Sequence, residues 1–365
     1  MTATTAGLDL DRTIPSADDE LWYTRCPIPT AFELALATGA FEREFDGSGL
    51  SWLPIASSPD PATHQSHFTH RKANSFRHGG NVPAIVARAR GADTVVIGVS
   101  WTRVPYPVLA LPASGIERAA DLRGRRLLVP RRDGAAVDFW RASTLRVYAE
   151  ALRSADLSFD DVELVEVDEP DHVLPNSDHA DVRGRLRWAL HDKWYFQRAV
   201  LGPLVRGEVD AVTSQSTHAL ELQGLAGARI VFDQAEQPDR IARVNNGVPD
   251  TLTVSGALAR ERPELVARVI ARLLEAAAWS REHRDESARL LSHRLQLPTA
   301  LLEASYGDTL TDALDVALPD DTAAVLQSQH DHLLAHGFIA QPFDVDAWID
   351  PRPLELAREL AAGRG

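Results

Sequence analysis

The sequence predicts an α/β fold with largely parallel sheets, because short apolar runs alternate with segments of helical periodicity. The chain of 365 residues is 44% hydrophobic, which is enough for two compact lobes with sizeable cores. No internal repeat interrupts the alternation. The apolar runs predict strands at residues 95–99, 126–129, 162–165, 211–213, 230–232 and 251–254.

Three helices stand out by their end signals and their periodicity. They are predicted at residues 30–38, closed by Gly39, at 263–281, and at 321–335, closed near Gly337. The second has apolar residues at helical spacing, which are expected in the core rather than in a cofactor site. These residues are Leu265, Val266, Val269, Ile270, Leu273 and Leu274.

Two loops divide the chain into lobes. The Pro-Tyr-Pro sequence at 105–107 and the loop at 234–250 bracket a segment with its own strands and helices. We therefore predict a discontinuous lobe I, residues 1–106 and 240–365, and a lobe II, residues 107–239. The second half of the acidic stretch 163–179 is predicted to be a surface loop.

The formal charge of −14 argues against non-specific attraction to nucleic acid or to anionic membranes. An anionic substrate must then be attracted by local charge, for which Arg25 and Arg77 are the candidates. The first twenty residues are acidic and lack an apolar run typical of a signal peptide, and no stretch of eighteen apolar residues occurs. We expect a cytoplasmic protein that does not contact the membrane.

Cys26 is the single cysteine, so it forms no disulfide within the chain. A lone cysteine is usually an inert buried thiol. Its surroundings favour a reactive one: Arg25 is adjacent, prolines flank Ile28, and the Thr30-x-x-Glu33 pattern predicts a capping box at a helix start just downstream. Positive charge and a helix N-terminus lower a thiol pKa when they lie close to it.

A second polar segment follows at residues 64–83. Asn81 is expected to cap a helix that begins near Pro83, and Gly79 and Gly80 allow a ligand to approach the backbone. Free N–H groups at that helix start, with Arg77 beside them, predict an anion site. A cysteine, histidines and an anion site together suggest acid or nucleophile chemistry on a small anion.

These motifs resemble the aromatic sulfinate desulfinases of the dibenzothiophene biodesulfurisation pathway, which act on hydroxybiphenyl sulfinate. The specific motifs are Tyr-x-x-Cys-Pro-x-Pro at 23–29, His-Phe-Thr at 67–69 and Arg-x-Gly-Gly at 77–80. Less specific matches at 121–126, 160–165 and 207–211 recur across the periplasmic-binding-protein-like superfamily of sulfonate, nitrate and thiamine-precursor binders.

The resemblance implies a two-lobed, type 2 periplasmic-binding-protein-like fold with a ligand cleft between the lobes. It implies a cofactor-independent hydrolase that cleaves the aryl C–S bond of 2'-hydroxybiphenyl-2-sulfinate or a related arene sulfinate. Cys26 would be the proton donor or nucleophile, with His67 as the residue that orients or protonates it. Arg77 and the N–H of Gly80 would bind the sulfinate, and Phe68 would line the ring pocket. We expect a monomer whose partner is a small aromatic anion.

Two chemical routes fit the sequence. The thiol could protonate the ring carbon so that sulfur dioxide leaves, or the thiolate could attack sulfur to form a covalent thiosulfonate-like species. The alternative function is a non-catalytic sulfonate or sulfinate-binding protein, which would need export. A relative of the thiamine-pyrimidine synthases is disfavoured because no cysteine-rich iron motif is present.

Other residues have mainly structural interpretations. His64, His67, His70 and His78 could suggest a metal, but no acidic ligand set accompanies them, so no metal is predicted. Trp140, Trp188, Trp194 and Tyr195 could stack on an aromatic substrate, although tryptophans are more often simply packed.

Overall fold

The structure, a computed structural model, describes residues 9–168 and 193–363. The chain forms two compact units. Unit 1 contains the described residues up to Thr102 and those from Asn246 onward, and unit 2 contains Arg103–Asn245. The chain therefore leaves unit 1, builds unit 2 and returns.

Unit 1 has a five-stranded sheet with the strand order β2-β1-β3-β10-β4. β1 pairs in parallel with β2 and β3, whereas β10 is antiparallel to both β3 and β4. The strands are β1 (Glu20–Thr24), β2 (Ser51–Pro54), β3 (Ser75–Gly80), β4 (Thr94–Ser100) and β10 (Asp250–Ser255).

Unit 2 repeats this arrangement in the order β7-β6-β8-β5-β9. β6 is parallel to β7 and β8, and β5 is antiparallel to β8 and β9. The strands are β5 (Pro107–Ala110), β6 (Arg126–Arg131), β7 (Glu163–Asp168), β8 (Ala211–Thr213) and β9 (Arg229–Asp233).

The prediction of largely parallel sheets was correct for only part of each sheet: the pairings of β1 and β6 are parallel, whereas one strand in each sheet runs against both of its neighbours. β5 is the first strand after the chain enters unit 2, and β10 is the first after it returns to unit 1. Neither strand belongs to a β-α-β unit of its own sheet, so the usual reason for a parallel pairing does not apply to them.

Helices pack on the unit 1 sheet. The apolar face of α9 (Pro263–Glu282) is buried as its periodicity predicts, including Leu265, Val266 and Ile270. The other helices are α1 (Ala31–Ala37), α2 (Ala40–Phe45), α3 (Pro61–Thr69), α4 (Asn81–Ala89), α8 (Gly256–Glu261), α10 (Arg284–Leu295), α11 (Thr299–Tyr306), α12 (Thr309–Asp312), α13 (Thr322–Ala335) and α14 (Arg352–Ala362).

Unit 2 contains α5 (Phe139–Arg153), α6 (Lys193–Val205) and α7 (Ser216–Ala226). Leu109, Leu128 and Val212 from its strands pack with Leu204 and Leu222 from its helices in one apolar core. The surface loop predicted in the second half of residues 163–179 falls largely outside the described residues. None of the helices in the described ranges is long and apolar enough to cross a membrane.

Candidate active site

Cys26 lies two residues beyond the end of β1 and is 8% exposed. The chain then turns towards α1, where the Thr30 hydroxyl caps the helix by accepting from the N–H of Glu33 at 3.2 Å. The cysteine is therefore held between β1, which precedes it, and the capped helix α1, which follows it. The thiol lies in the short connection at the carboxyl end of β1, an interior strand of the sheet.

The sulfur of Cys26 packs directly on the Gly79–Gly80 backbone. A Cβ atom on Gly79 would collide with this sulfur and lie 3.0 Å from the Cβ of Cys26. The N–H of Gly80 donates a hydrogen bond to the sulfur. The sequence predicted that a ligand would approach the backbone closely at these glycines. In the structure the thiol of Cys26 makes this close approach.

The guanidinium of Arg77 is held beside the sulfur of Cys26. Its Nη2 lies 3.4 Å from the position that a Cβ on Gly79 would take, next to the sulfur. Its Nε donates to the carbonyl of His67 at 3.1 Å, and its Nη1 donates to the carbonyl of Gly80 at 2.8 Å. These two bonds hold a guanidinium that is only 5% exposed in one orientation. A fixed planar fork suits a two-oxygen anion.

Burial raises the pKa of the Cys26 thiol, and this effect exceeds the lowering by Arg77. Asp250 and Glu33 raise the same pKa further by their charge, while the Gly80 hydrogen bond lowers it. The sequence suggested a lowered thiol pKa. That inference was wrong because the cysteine is removed from water to a degree that no local pattern reveals.

Arg25 does not supply the local field expected of it. Its Nε donates to the Glu33 carboxylate at 3.1 Å, and both side chains are buried. Arg294 donates to the same carboxylate at 3.0 Å. The predicted capping box is therefore only half formed, because the Glu33 carboxylate is used to neutralise arginines instead of the helix start.

The N–H groups at the start of α4 are also occupied. Gly80 is the N-cap, and the helix begins at Asn81, so Asn81 is not the capping residue. The N–H of Asn81 donates to the carbonyl of Asn246 at 2.6 Å, and that of Val82 donates to the Asn246 side chain at 3.1 Å. Pro83 has no N–H. The N–H groups of Asn81 and Val82 are therefore not free for an anion, and the predicted anion site reduces to Arg77 and the N–H of Gly80.

His67 and Phe68 lie near the end of α3, a helix that begins with Pro61 capped by Asp60. Their rings meet edge to face at 4.6 Å. Burial and the charge of Arg77 lower the pKa of His67 to about 3, so its imidazole is neutral at physiological pH. The near-neutral pKa suggested by the sequence was wrong. A direct role of His67 on Cys26, and a place for Phe68 in a ring pocket, stay predictions.

His70 and His78 are neutral too. Burial lowers the pKa of His78 to about 3 and that of His70 well below its ordinary value, and Arg77 adds to both. The Nε2 of His78 lies 3.0 Å from the Ser100 hydroxyl. Within residues 9–168 and 193–363, no three His, Cys, Asp or Glu side chains come together to form a possible metal site.

Unit 2 contains a small cleft lined by residues of its strands and of α5. Its wall includes Trp140, which is 9% exposed and stacks under the guanidinium of Arg132 at 5.4 Å from the ring centroid. Trp188 and the side chains of Trp194 and Tyr195 lie outside the described residues. Stacking of Trp140 on a substrate stays a prediction.

The chain is similar to known proteins along nearly its whole length. It is 29% identical over 367 aligned positions to the 2'-hydroxybiphenyl-2-sulfinate desulfinase of Rhodococcus erythropolis, covering 94% of both chains. A cysteine-to-serine mutant of the desulfurisation enzyme DszB, in complex with biphenyl-2-sulfinic acid, superposes with a TM-score of 0.69 at 25% identity. That match covers 94% of this chain and 100% of the other.

The resemblance to the aromatic sulfinate desulfinases is confirmed. Residues 79–183 match the family described as NMT1/THI5 like. The periplasmic aliphatic sulphonate binding protein SsuA of Escherichia coli has a TM-score of 0.64 at 18% identity and covers 92% of each chain, which shows the shared fold. The α/β, type 2 periplasmic-binding-protein-like fold expected from the motifs is therefore confirmed.

Asp250 and Asn246 are the residues of this site that sequence reasoning missed. Asn246 covers Gly80, where an added Cβ would meet its amide oxygen at 2.5 Å, and Asp250 pairs with Gly80 at the first position of β10. Both lie more than 160 positions beyond Arg77 in the chain. One signal was available: an acidic residue placed directly before the apolar strand at 251–254 is unusual and points to a special role.

Proposed function

We propose that this protein is a cofactor-independent desulfinase that cleaves the aryl C–S bond of an aromatic sulfinate and releases sulfite and the arene. The observation that carries the proposal is the contact of the single thiol with Gly79 and Gly80 beside a fixed arginine. The similarity to the 2'-hydroxybiphenyl-2-sulfinate desulfinase over 94% of the chain supports the same reaction. The preferred substrate is 2'-hydroxybiphenyl-2-sulfinate or a related arene sulfinate.

The raised thiol pKa favours the route in which Cys26 is a proton donor. The electron pair of the C–S bond stays on the ring carbon and takes the thiol proton, and sulfur dioxide leaves. Water adds to sulfur dioxide to give bisulfite and a proton, and this proton restores the thiol. The net reaction consumes one sulfinate and one water, which is the reason for assigning the hydrolase class.

Arg77 and Gly80 are proposed to bind the sulfinate oxygens. A charged planar donor and a backbone N–H beside the reactive sulfur are groups that suit this anion. His67, as a neutral imidazole, can orient the thiol or pass its proton without adding a charge to the site. Phe68, packed on His67, would contribute to the apolar surface for the ring.

The alternative is a non-catalytic sulfonate or sulfinate-binding protein. It is supported by 23% identity over 88% of this chain to the putative aliphatic sulfonates-binding protein of Escherichia coli. A binding protein does not need a thiol packed between a backbone donor and an arginine. The desulfinase is therefore the better supported function, while the monomeric state and the cytoplasmic location remain predictions.

A sulfite-release assay over a small panel of aryl sulfinates tests the function. Wild-type protein should release sulfite and the arene in equal amounts, and Cys26→Ser should still bind the sulfinate but release essentially none. Alkylation of the single thiol should inactivate the protein, and bound sulfinate should slow the alkylation. Binding without sulfite release from any member of the panel would establish the alternative.

A further inference from the structure

Asp250 is a buried carboxyl that the reaction above does not use. It is 1% exposed, and among the residues that the structure describes its Oδ1 has no hydrogen-bond partner. It stands at the start of the reversed strand β10, directly opposite Gly80 on one side and Ser100 on the other. A buried polar atom without a partner is costly, so its presence calls for a physical reason.

The charge of Asp250 acts on both main groups of the site. The thiol of Cys26 and the guanidinium of Arg77 lie close enough to interact electrostatically with this carboxyl. Burial raises the pKa of Asp250 well above its ordinary value, although Arg77 works in the opposite direction. Burial thus outweighs the attraction of the arginine and favours the protonated form of the carboxyl.

Within the described part of the chain, the other titratable groups facing this region from the packed elements provide no anion that compensates Arg77. His78 on β3 and His67 and His70 on or next to α3 are neutral. The Glu33 carboxylate of α1 is shared by two other arginines. The facing positions on β4 and at the α4 start are Ser100 and Asn81, which carry no charge.

We propose that Asp250 is a positioning residue that controls anion binding at Arg77: its protonated form leaves the arginine charge to the substrate, and its ionised form competes with the substrate for that charge. This inference rests on the proposed function, because it concerns the same anion at the same arginine. Asp250 is only 1% exposed, so its ionised carboxylate would also raise the pKa of the Cys26 thiol. The thiol would then release its reactive proton less readily.

The raised pKa of Asp250 sets the sign of the pH dependence. Because the pKa of Asp250 is raised in the folded protein, the anion-binding form exists below that pKa and disappears as the pH rises through it. Anion affinity should therefore fall as the pH rises through that pKa.

The binding test uses Cys26→Ser, in which the thiol no longer titrates and bound sulfinate is not consumed. The probe is biphenyl-2-sulfinate, titrated calorimetrically at a series of pH values across the whole range in which the variant stays folded. We expect the dissociation constant to rise by about tenfold or more over that range, as one new charge near Arg77 predicts. In Cys26→Ser combined with Asp250→Asn, which keeps the shape but cannot ionise, the rise should be absent.

A second measurement needs no substrate. The rate of alkylation by iodoacetamide, followed against pH, reports the ionisation of Cys26 alone because the chain has no other thiol. Asp250→Asn should move the midpoint of this profile to lower pH by about one unit. The matched control is Asp350→Asn, a buried carboxylate of unit 1 that pairs with Arg352 at 2.7 Å, which should leave the midpoint unchanged.

The outcomes of these two measurements and of the sulfite-release assay distinguish the role of Asp250 from the desulfinase function. A loss of affinity with rising pH in Cys26→Ser that persists with Asp250→Asn, or an unchanged alkylation midpoint, overturns the role of Asp250 even if sulfite is released. A shifted midpoint without any sulfite release supports the role of Asp250 and rejects the desulfinase. If Asp250→Asn does not fold, a pH-independent affinity of Cys26→Ser alone overturns the inference.

Discussion

The sulfur of Cys26 occupies the space that a side chain on Gly79 would need. The strand β3 can therefore approach the thiol only because position 79 lacks a Cβ. The same strand carries Arg77 two positions earlier, and residues two apart on a strand lie on the same face. One strand thus brings together the thiol contact and the arginine.

Gly79→Ala should strongly reduce sulfite release, because the new methyl group must displace the thiol or the strand. We expect a loss of at least about a hundredfold in kcat, since small displacements of reacting groups have effects of that size. Gly224→Ala is the control, because nothing lies within 4 Å of a Cβ at that position of α7. Equal losses in both variants would show that the Cys26–Gly79 contact does not matter for turnover.

Arg77→Lys tests the planar fork while the charge is kept. Lysine cannot donate to the carbonyls of His67 and Gly80 at once in the geometry of the guanidinium, so the cation should be poorly positioned. We predict a KM for the sulfinate raised by about tenfold or more, measured by initial rates of sulfite release. Arg358→Lys, an exposed change on α14, should have no effect. An unaltered KM in Arg77→Lys would reject a bidentate role.

Glu33→Gln tests the buried ion-pair group next to the thiol. It removes the carboxylate that compensates Arg25 and Arg294, so we expect a loss of about 3 kcal/mol in the free energy of unfolding. It should also lower the thiol pKa, because Glu33 raises it by charge. Urea unfolding and the alkylation profile measure the two effects. Glu42→Gln, which is exposed on α2, should change neither.

Acidification should destabilise the protein through histidines whose pKa is lowered in the folded state. His67 and His78 have a folded-state pKa of about 3, whereas an unfolded histidine has a pKa near 6.5. Between these values the unfolded state binds more protons, so stability falls as the pH falls, by up to about 1.4 kcal/mol per pH unit for each group.

Urea unfolding at a series of pH values measures this slope. His67→Gln should reduce it, while replacement of the exposed His293 by glutamine should leave it unchanged. A slope that is equal in wild type and His67→Gln would show that His67 is not buried in its neutral form.

Sequence patterns located most elements but not the directions of the strands. The run at 211–213 corresponds to β8 in full, and the run at 251–254 lies within β10. Their apolar residues make burial visible in the sequence. The reversal of β10 depends on the long path of the chain through unit 2, which no local pattern records.

The candidate site was predictable in its residue types and not in its electrostatics. Motif resemblance selected Cys26, Arg77 and Gly80, which the structure brings together. The rise of the thiol pKa, and the pairing of Arg25 with Glu33, depend on burial and on a helix more than 250 residues away that contributes Arg294. Long-range packing of this kind leaves no trace in a local motif.

The order of synthesis has a consequence for when this site can form. β10 lies between β3 and β4 and begins at Asp250, so a ribosome that has made only the first half of the chain has produced an incomplete sheet with a gap beside Gly80. Nascent chains that end before Ser255 should therefore lack an assembled thiol environment, however well unit 2 has folded by then.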